Sequence, residues 1–338
     1  MRVKTLTISI AGYNVEKFIE AALNSLCADA IISELEIFII DDGGKDNTLK
    51  IAEKYANKYP FSIFPIHKDN GGWGSTVNYS ISHATGKYFK ILDGDDLFST
   101  DSLVRLVSIL KKIDADVIYT PYRRFDDESG NTIEICDTAT TNDKYVVMTS
   151  DKLPSNIDFS MHSVTFRTEL LKKNHIRVSE KCFYTDNEYR TKGIAYAKTF
   201  YLTNEEVYQY RVGRTEQSIG LTGLRKHYRD CDYVMKTLIS FYKNLNTKLN
   251  LSYVKKYTKN AIEFNYNTLL ALNMKSELKE LDAFIKNNCV DLYNTNSLNI
   301  KLLRKTSFNG TSALSNMYRF RLYMAPKFKI ILRKLKHL

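Results

Sequence analysis

Short apolar runs alternate with helix-like stretches over the first 120 residues, and this alternation limits the possible folds. The runs at 5–11 and 35–40 are rich in β-forming residues, and each ends in residues that favour turns. Between them, at 15–28, apolar residues recur at the spacing of one helical face, and this spacing returns at 47–59. Strand, helix, strand, helix predicts a doubly wound α/β sheet with buried parallel strands.

Three polar segments of this region follow predicted strands. They are Asp41-Asp42, the glycine-rich loop at 70–74 and the turn Asp93-Gly94-Asp95-Asp96, called the DGDD turn below. Ligands of doubly wound sheets bind just outside the carboxyl ends of the strands. Clustered carboxylates repel one another unless a cation neutralises them, and oxygen ligands suit Mg²⁺ or Mn²⁺. Each segment alone also fits a plain turn or loop. The DGDD turn suits a divalent cation, and Asp41-Asp42 are either turn formers or nucleotide ligands.

The excess positive charge lies at the end of the chain. The net charge is +11, and the stretch 293–338 holds ten lysines and arginines but no aspartate or glutamate. Within it, the segment 327–338 places apolar residues on one predicted helical face and basic residues mostly elsewhere. We expect this segment to bind an anionic membrane surface. A docking helix and a nucleic-acid patch are the alternatives, but no nucleic-acid motif accompanies the segment.

Cysteine usage and hydropathy predict the compartment. The five cysteines are widely spaced and form no Cys-x-x-Cys pair, which argues against a disulfide framework or a zinc cluster and favours a reducing cytoplasm. No stretch approaches the ~20 apolar residues needed to span a bilayer, and the first residues carry no secretory signal. We therefore expect a cytoplasmic protein that is peripheral on the inner face of the cell membrane.

Residues 5–125 resemble the nucleotide-binding half of the inverting family 2 glycosyltransferases, which have the so-called A-type fold. Three segments carry the resemblance: ISIAGYNVEKFIEAALNSL, EIFIIDDGGKDNT and NGGWGSTVNYSISHATGKYFKILDGDD. The resemblance implies a hexosyl- or N-acetylhexosaminyltransferase of capsule or other surface polysaccharide synthesis. Such enzymes move a sugar from a nucleotide sugar, most often a UDP-sugar, and the resemblance implies Mn²⁺ or Mg²⁺ as the cofactor.

The family pattern also assigns donor-side roles to residues. In relatives, the end of the first strand and the acid after the second strand contact the nucleobase, which places Ala11, Tyr13 and Asp42, or its neighbour Asp41, near the base. The Asp-x-Asp element puts Asp93 on the ribose side of the donor and Asp95 on the metal. The expected donor set is Ala11, Tyr13, Asp41, Asp42, Asn70, Gly71, Gly72, Trp73, Asp93, Gly94, Arg211 and Arg214.

The two arginines of this set come from VYQYRVGRTEQSIG at 207–220, which resembles the segment that closes over the diphosphate in relatives. Arg211 and Arg214 could pair with phosphate oxygens, with Gln217 and Ser218 as further donors. Two ordinary surface arginines are the alternative.

A general base is expected from an acidic pair further along the chain. The matching segment, CFYTDNEYRTKG at 182–193, nominates Asp186. The acceptor hydroxyl must lose its proton as it attacks the anomeric carbon, through a transition state with oxocarbenium character. Thr185 stands where many relatives have Glu, so Glu188 and Asp158 remain alternatives, and Asp186 could instead cap the following helix.

The remaining expectations concern the acceptor side and the domains. His162 lies in a segment that lines the acceptor side in relatives, although a lone histidine is often structural. We expect a catalytic domain at 1–220, divided into a donor half at 1–125 and an acceptor and base half at 126–220. A helical region at 221–338 follows and could form a homodimer interface. A glycan or a lipid-linked oligosaccharide is the expected acceptor.

Two other functions fit parts of the pattern. A non-catalytic partner subunit of a glycosyltransferase complex could keep the fold and the donor site, and Thr185 leaves this possibility open. A sugar-nucleotide pyrophosphorylase would need a glycine-rich phosphate loop after the first strand, and AGYNVEK is not one. The dinucleotide motif GxGxxG and the P-loop motif GxxxxGK[ST] are absent there as well.

Overall fold

The computed structural model describes residues 3–154, 156–213, 220–294 and 297–319. Three polar residues singled out above, and the basic segment at the end of the chain, lie outside the described residues. These are Arg214, Gln217, Ser218 and 327–338.

The chain divides into two compact units. Among the described residues, the first comprises 3–154, 156–213 and 245–254, and the second comprises 220–244, 255–294 and 297–319.

The strands of the described ranges all belong to the first unit and form two sheets. They are β1 (Leu6–Gly12), β2 (Leu35–Asp42), β3 (Ile63–Lys68), β4 (Tyr88–Asp93), β5 (Leu97–Phe98), β6 (Val117–Tyr119), β7 (Tyr122–Asp126), β8 (Thr132–Cys136), β9 (Val147–Thr149), β10 (Val164–Arg167), β11 (Thr199–Leu202) and β12 (Tyr208–Val212). The larger sheet has the order β3-β2-β1-β4-β10-β6-β11-β9, and the smaller sheet has the order β5-β12-β7-β8.

The helices of the first unit pack around the larger sheet or lead out of its strands. They are α1 (Ile19–Asn24), α2 (Thr48–Lys58), α3 (Trp73–His83), α4 (Thr100–Leu110), α5 (Thr168–Lys173) and α6 (Asp186–Ala195). The four strands β3, β2, β1 and β4 are parallel, and β10 is antiparallel to both of its neighbours. Leu6, Ile8 and Ile10 of β1 are fully buried in the centre of the core. The prediction of a doubly wound α/β sheet with buried parallel strands is confirmed, and the antiparallel strand β10 makes the sheet a mixed one.

The second unit is helical in its described part, as the sequence predicts. Its helices are α7 (Leu221–Lys243), α8 (Leu251–Ala271), α9 (Lys275–Asn288), α10 (Val290–Tyr293) and α11 (Leu298–Lys305), although the first residues of α8 belong to the first unit. Among the helices described, none combines the length and the apolar character that a membrane span requires.

The register of the large sheet brings the predicted site residues to one edge. Ala11 of β1 pairs with Asp93 of β4, and Gly12 of β1 pairs with Asp41 of β2. Since these strands are parallel, they end together and their following loops lie side by side.

Candidate active site

The DGDD turn packs directly against the end of β1. The Gly94 N–H donates to the Ala11 carbonyl oxygen at 3.0 Å. A Cβ atom on Gly94 would lie 2.7 Å from that oxygen, so a larger residue would push the turn away from β1. Tyr13 follows β1, and its side chain is 54% exposed. An open aromatic ring therefore stands beside the strand ends that the sequence assigns to the nucleobase.

Asp42 organises the glycine-rich loop at 70–74, whose last two residues begin α3. Its buried carboxylate accepts from the N–H groups of Gly71 and Gly72 at 2.9 and 2.7 Å, and from Lys68 Nζ at 2.7 Å. The Asn70 side-chain amide donates to the Asp42 carbonyl oxygen at 2.8 Å. Asp42 thus binds the loop, and its predicted contact with a nucleobase stays a prediction.

Asp41, the other acid at the end of β2, has different partners. Its buried carboxylate accepts from the Gly44 N–H at 3.1 Å and lies 2.6 Å from His67 Nδ1. Asp41 and Asp42 therefore have different partners, a difference that the sequence did not predict.

Trp73 links the glycine-rich loop to the DGDD turn. Its indole Nε1–H donates to Asp93 Oδ1 at 2.8 Å. The Asp93 backbone N–H donates to the Tyr208 hydroxyl at 3.2 Å. Asp93 is therefore oriented from two sides, by the start of α3 and by β12.

The smaller sheet holds the rest of the DGDD turn through β12. Asp96 is 1% exposed; its carboxylate accepts from the Tyr208 hydroxyl and from the Arg211 N–H, both at 2.7 Å. Arg211 Nε donates to the Asp95 carbonyl oxygen at 2.8 Å, and its Nη1 donates to Asp127 at 2.8 Å. Arg211 thus fixes the turn, and its predicted role as a phosphate ligand stays a prediction. The sequence did not single out Tyr208, since no local pattern distinguishes it from its neighbours.

Burial and neighbouring carboxylates raise the pKa of two acids of this turn, Asp93 and Asp96. Burial, together with the nearby charges of Asp95 and Asp186, raises the pKa of Asp93 to about 7 against the hydrogen bond from Trp73. Burial and the charges of Asp95 and Asp93 also hold the pKa of Asp96 well above its ordinary value. Two carboxyl groups of this turn are therefore costly to ionise without a nearby positive charge. That cost, and the oxygen ligands that the turn offers, fit a divalent cation.

Asp186 is the first residue of α6, and its charge acts on Asp93 of the DGDD turn. Burial raises its pKa, the cation of Arg190 lowers it, and the charge of Asp186 in turn raises the pKa of Asp93. The two alternative bases each form an ion pair. Glu188 is fully buried, 2.6 Å from Lys192 Nζ, whereas Asp158 lies 3.3 Å from Arg190 Nη1.

A tight contact joins the glycine-rich loop to the segment that leads to Asp186. A Cβ atom on Gly74 would lie 1.9 Å from the Ser179 carbonyl oxygen, so only glycine fits. The Lys181 N–H donates to the Gly71 carbonyl oxygen at 2.5 Å. The Asn78 side chain bonds both the N–H and the carbonyl oxygen of Val178. The donor loop and the segment leading to the predicted base are therefore positioned together.

His162 lies close to the carboxylates of Asp93 and Asp96. A ligand atom of its ring and one each from Asp93 and Asp96 all lie within 4.8 Å of one another. Its ring stacks on Tyr210 with centroids 4.6 Å apart, and burial with nearby cations lowers its pKa to about 3. The imidazole is therefore neutral at physiological pH. Its assignment to the acceptor side stays a prediction.

Comparison with known proteins identifies the family. The model of glycosyl transferase family 2 matches residues 7–173. An uncharacterized glycosyltransferase of Mycoplasma pneumoniae is 34% identical over 122 residues, which are 35% of this chain and 41% of that protein. The minor teichoic acid biosynthesis protein GgaB of Bacillus subtilis is 27% identical over 240 residues, which are 69% of this chain and 25% of that protein. The chain thus matches less than half of the length of these relatives.

A solved structure has the same fold. The structure of residues 1–349 of TarS from S. aureus, in complex with UDP-GlcNAc, superposes with a TM-score of 0.69 at 20% identity. The superposition covers 93% of this chain and 91% of that chain. The matched segment 7–173 contains β1, β2, the glycine-rich loop and the DGDD turn. Residues 7–173 of the chain therefore form a domain of the family 2 glycosyltransferases.

Proposed function

We propose that the chain transfers a sugar from a nucleotide-sugar donor to an acceptor hydroxyl, with inversion at the anomeric carbon and Asp186 as the general base. One observation carries the proposal: the Trp73 indole donates to Asp93 of the donor turn at 2.8 Å, and its ring packs against Tyr189 of α6, the helix that Asp186 begins, with centroids 6.4 Å apart. Asp93 and Asp186 are far apart in the sequence, and these contacts support placing the expected donor turn and the expected base in one site.

The donor side would be formed by the ends of β1, β2 and β4. Tyr13 offers an aromatic face to the nucleobase, and Asp93 would hold the ribose side. UDP is the proposed nucleotide, which the UDP-GlcNAc complex of TarS supports. Asp95 would hold Mn²⁺ or Mg²⁺ beside the diphosphate. Such a cation stabilises the negative charge that develops on a departing nucleoside diphosphate.

The acceptor side would be served by Asp186. Its carboxylate takes the proton of the attacking hydroxyl as the new bond to the anomeric carbon forms. Burial raises the pKa of this carboxyl, which makes it a stronger base than an exposed aspartate, and the Arg190 cation opposes that rise so that the ionised form persists. Attack from the face opposite the departing diphosphate gives inversion.

The substitution Asp186→Asn tests the assignment of the base, with Asp158→Asn as the matched control. We expect Asp186→Asn to lower kcat by about 10²–10⁴-fold while the affinity for UDP and Mn²⁺ is kept. Asp158→Asn should keep most of the activity, since the Asp158 side chain is 42% exposed and its partner is Arg190. Full transfer activity in Asp186→Asn would overturn the assignment of Asp186 as the general base. Nucleotide binding without transfer in the unsubstituted chain, whatever acceptor is offered, would favour the non-catalytic partner subunit.

The donor is tested by thermal denaturation with UDP, GDP, CDP or dTDP, each with Mn²⁺, Mg²⁺ or EDTA. A ligand at 100 times its Kd adds about 2.7 kcal/mol of apparent stability, which raises Tm by a few degrees. We expect the rise with UDP, and only when a metal is present. A rise in Tm with another nucleotide would change the proposed nucleobase. No rise in Tm with any of the four would contradict the donor site.

We further propose that the acceptor is a surface-glycan precursor, such as a lipid-linked oligosaccharide, and that the segment 327–338 holds the enzyme at an anionic membrane. The placement of apolar residues on one predicted helical face of that segment, with basic residues mostly elsewhere, supports this. A chain truncated after Ala325 should no longer sediment with vesicles that contain an anionic lipid. Unchanged sedimentation would refute the role of the segment and leave the catalytic proposal standing.

A further inference from the structure

The side chains of Asp93, Asp96 and His162 come from three separate places in the fold. Asp93 ends β4, Asp96 lies in the turn after it, and His162 lies in the loop before β10. One ligand atom from each lies within 4.8 Å of the others. Ligands that surround one ion at 2.0–2.1 Å lie no more than about 4.2 Å apart, so small side-chain rotations would bring all three onto one cation.

The histidine is held in a fixed orientation. Its Nδ1 lies 2.8 Å from Ser160 Oγ, and the ring packs against Tyr210, Tyr208 and Tyr122 at centroid distances of 4.6, 4.6 and 4.9 Å. With the proton on Nδ1 and donated to Ser160, Nε2 presents a lone pair. Metal-binding histidines are commonly oriented in this way, by a hydrogen bond to the nitrogen that does not bind the metal.

The backbone of His162 is fixed as well. Lys90, a buried residue of β4, donates from Nζ to the carbonyl oxygens of His162 and Val164 at 3.0 and 3.2 Å. Lys90 lies three positions before Asp93 on the same strand. The histidine loop and the carboxylate turn are therefore attached to one rigid element, as a preorganised metal site requires.

Asp96 keeps the capacity to bind a metal despite its two hydrogen bonds. Each of its carboxylate oxygens accepts one bond, from the Tyr208 hydroxyl or from the Arg211 N–H. An ionised carboxylate offers about four lone-pair sites, so two remain. The existing bonds would then orient the ligand rather than occupy it.

We propose that His162 is a nitrogen ligand of the divalent cation, together with the carboxylates of Asp93 and Asp96, beside the Asp95 expected from the sequence. Asp93 would then bind the cation in addition to its proposed role on the ribose side of the donor. The inference rests on the proposed function, because it concerns the cation of the same donor site. It adds a selectivity: an imidazole nitrogen suits Mn²⁺ better than Mg²⁺, which prefers oxygen ligands and retains its waters. The protein should therefore bind Mn²⁺ more tightly than Mg²⁺.

Pulsed electron paramagnetic resonance of the Mn²⁺-loaded full chain tests the inference without reference to activity. We expect the unsubstituted protein to show electron spin-echo modulation from a directly bound ¹⁴N nucleus, and His162→Gln to lose it. The Mn²⁺ dissociation constant should rise by about tenfold or more in His162→Gln. His67→Gln is the matched control, since His67 also lies beside a buried aspartate, Asp41, and it should keep the modulation.

Uniform ¹⁵N-histidine labelling of the unsubstituted protein gives a second measurement, which holds even where His162→Gln does not fold. The modulation should change from the ¹⁴N to the ¹⁵N pattern. Bound Mn²⁺ without nitrogen modulation, or modulation that persists in His162→Gln, would overturn the histidine ligand and leave the proposed function intact. Failure of the unsubstituted chain to bind Mn²⁺, with or without UDP, would overturn the metal site of the proposed function and this inference with it.

Discussion

The substitution Asp93→Asn should stabilise the metal-free protein at alkaline pH, although it removes a residue of the donor site. Asparagine keeps an oxygen that can accept the Trp73 hydrogen bond, so the change mainly removes a charge. The pKa of Asp93 is raised to about 7 from 3.8. The folded state therefore binds this proton more tightly than the unfolded state does. The stability that this proton contributes is lost as pH rises from about 4 to about 7.

The size of the effect follows from that interval. A difference of about three pKa units corresponds to about 4 kcal/mol, and partial solvent access reduces this to about 2–4 kcal/mol at pH 8. Asp93→Asn carries no such cost, so its free energy of unfolding should exceed that of the unsubstituted chain by this amount at pH 8. At pH 5 the gain should fall to about 1–2 kcal/mol, because the unsubstituted carboxyl is then largely protonated in the folded state.

Urea denaturation in EDTA at the two pH values measures the effect. Trp73 is the only tryptophan of the chain, and its indole bonds Asp93, so its fluorescence follows the unfolding of this unit. Asp143→Asn, which removes an exposed aspartate, should change stability by less than about 0.5 kcal/mol. Adding Mn²⁺ should stabilise the unsubstituted protein more than Asp93→Asn. A variant that is less stable than the parent at pH 8, or a gain that does not change with pH, would refute the charge argument.

Two further substitutions test how the donor loop is built. Gly74→Ala should lower the free energy of unfolding by about 1–3 kcal/mol, because its Cβ would overlap the Ser179 carbonyl oxygen at 1.9 Å. Urea denaturation measures this change, and an unchanged stability would contradict the close contact. Asp42→Asn should lower the free energy of unfolding by about 2–4 kcal/mol and weaken UDP binding, because it removes a buried carboxylate that accepts from Gly71, Gly72 and Lys68. Calorimetric titration with UDP and Mn²⁺ measures the binding. Tight UDP binding by the variant would show that the loop forms without the charge.

The sequence predicts the donor half of the fold because its signals are local. Apolar runs and helical spacing each extend over some ten residues, and parallel strands necessarily end at one edge. The DGDD turn follows β4 and packs on the end of β1, as the pattern requires. The family assignment followed from the same segments, and the family model confirms it.

The partners of the DGDD turn could not be predicted in this way. Tyr208 and Arg211 lie more than 110 residues after the turn, on a strand of the second sheet. Nothing in their local spacing shows which part of the molecule that strand covers. The same holds for Asp42: its acidic character and its place after a strand fit a nucleotide ligand, and only the fold shows that its carboxylate binds the glycine-rich loop.

The choice among Asp186, Glu188 and Asp158 depends on charge as well as position, and Arg190 gives a way to test it. Arg190 donates to the Asn187 side chain at 2.8 Å, and its cation lowers the pKa of Asp186. Arg190→Gln should therefore raise that pKa, and the acidic limb of the pH profile of kcat should move to higher pH, since the base is inactive when protonated. Arg190→Lys keeps the charge and should leave the limb near its original position.

The profile is measured with saturating donor and Mn²⁺, so that the carboxylates of the DGDD turn remain ionised and Asp186 is the acid left to titrate. At pH values above the limb, Arg190→Gln should regain most of the kcat of the parent, which a loss of folded structure would not allow. If the acidic limb does not move in Arg190→Gln, the charge of Arg190 does not influence the pKa of the base. Glu188, whose partner is Lys192, would then become the stronger assignment.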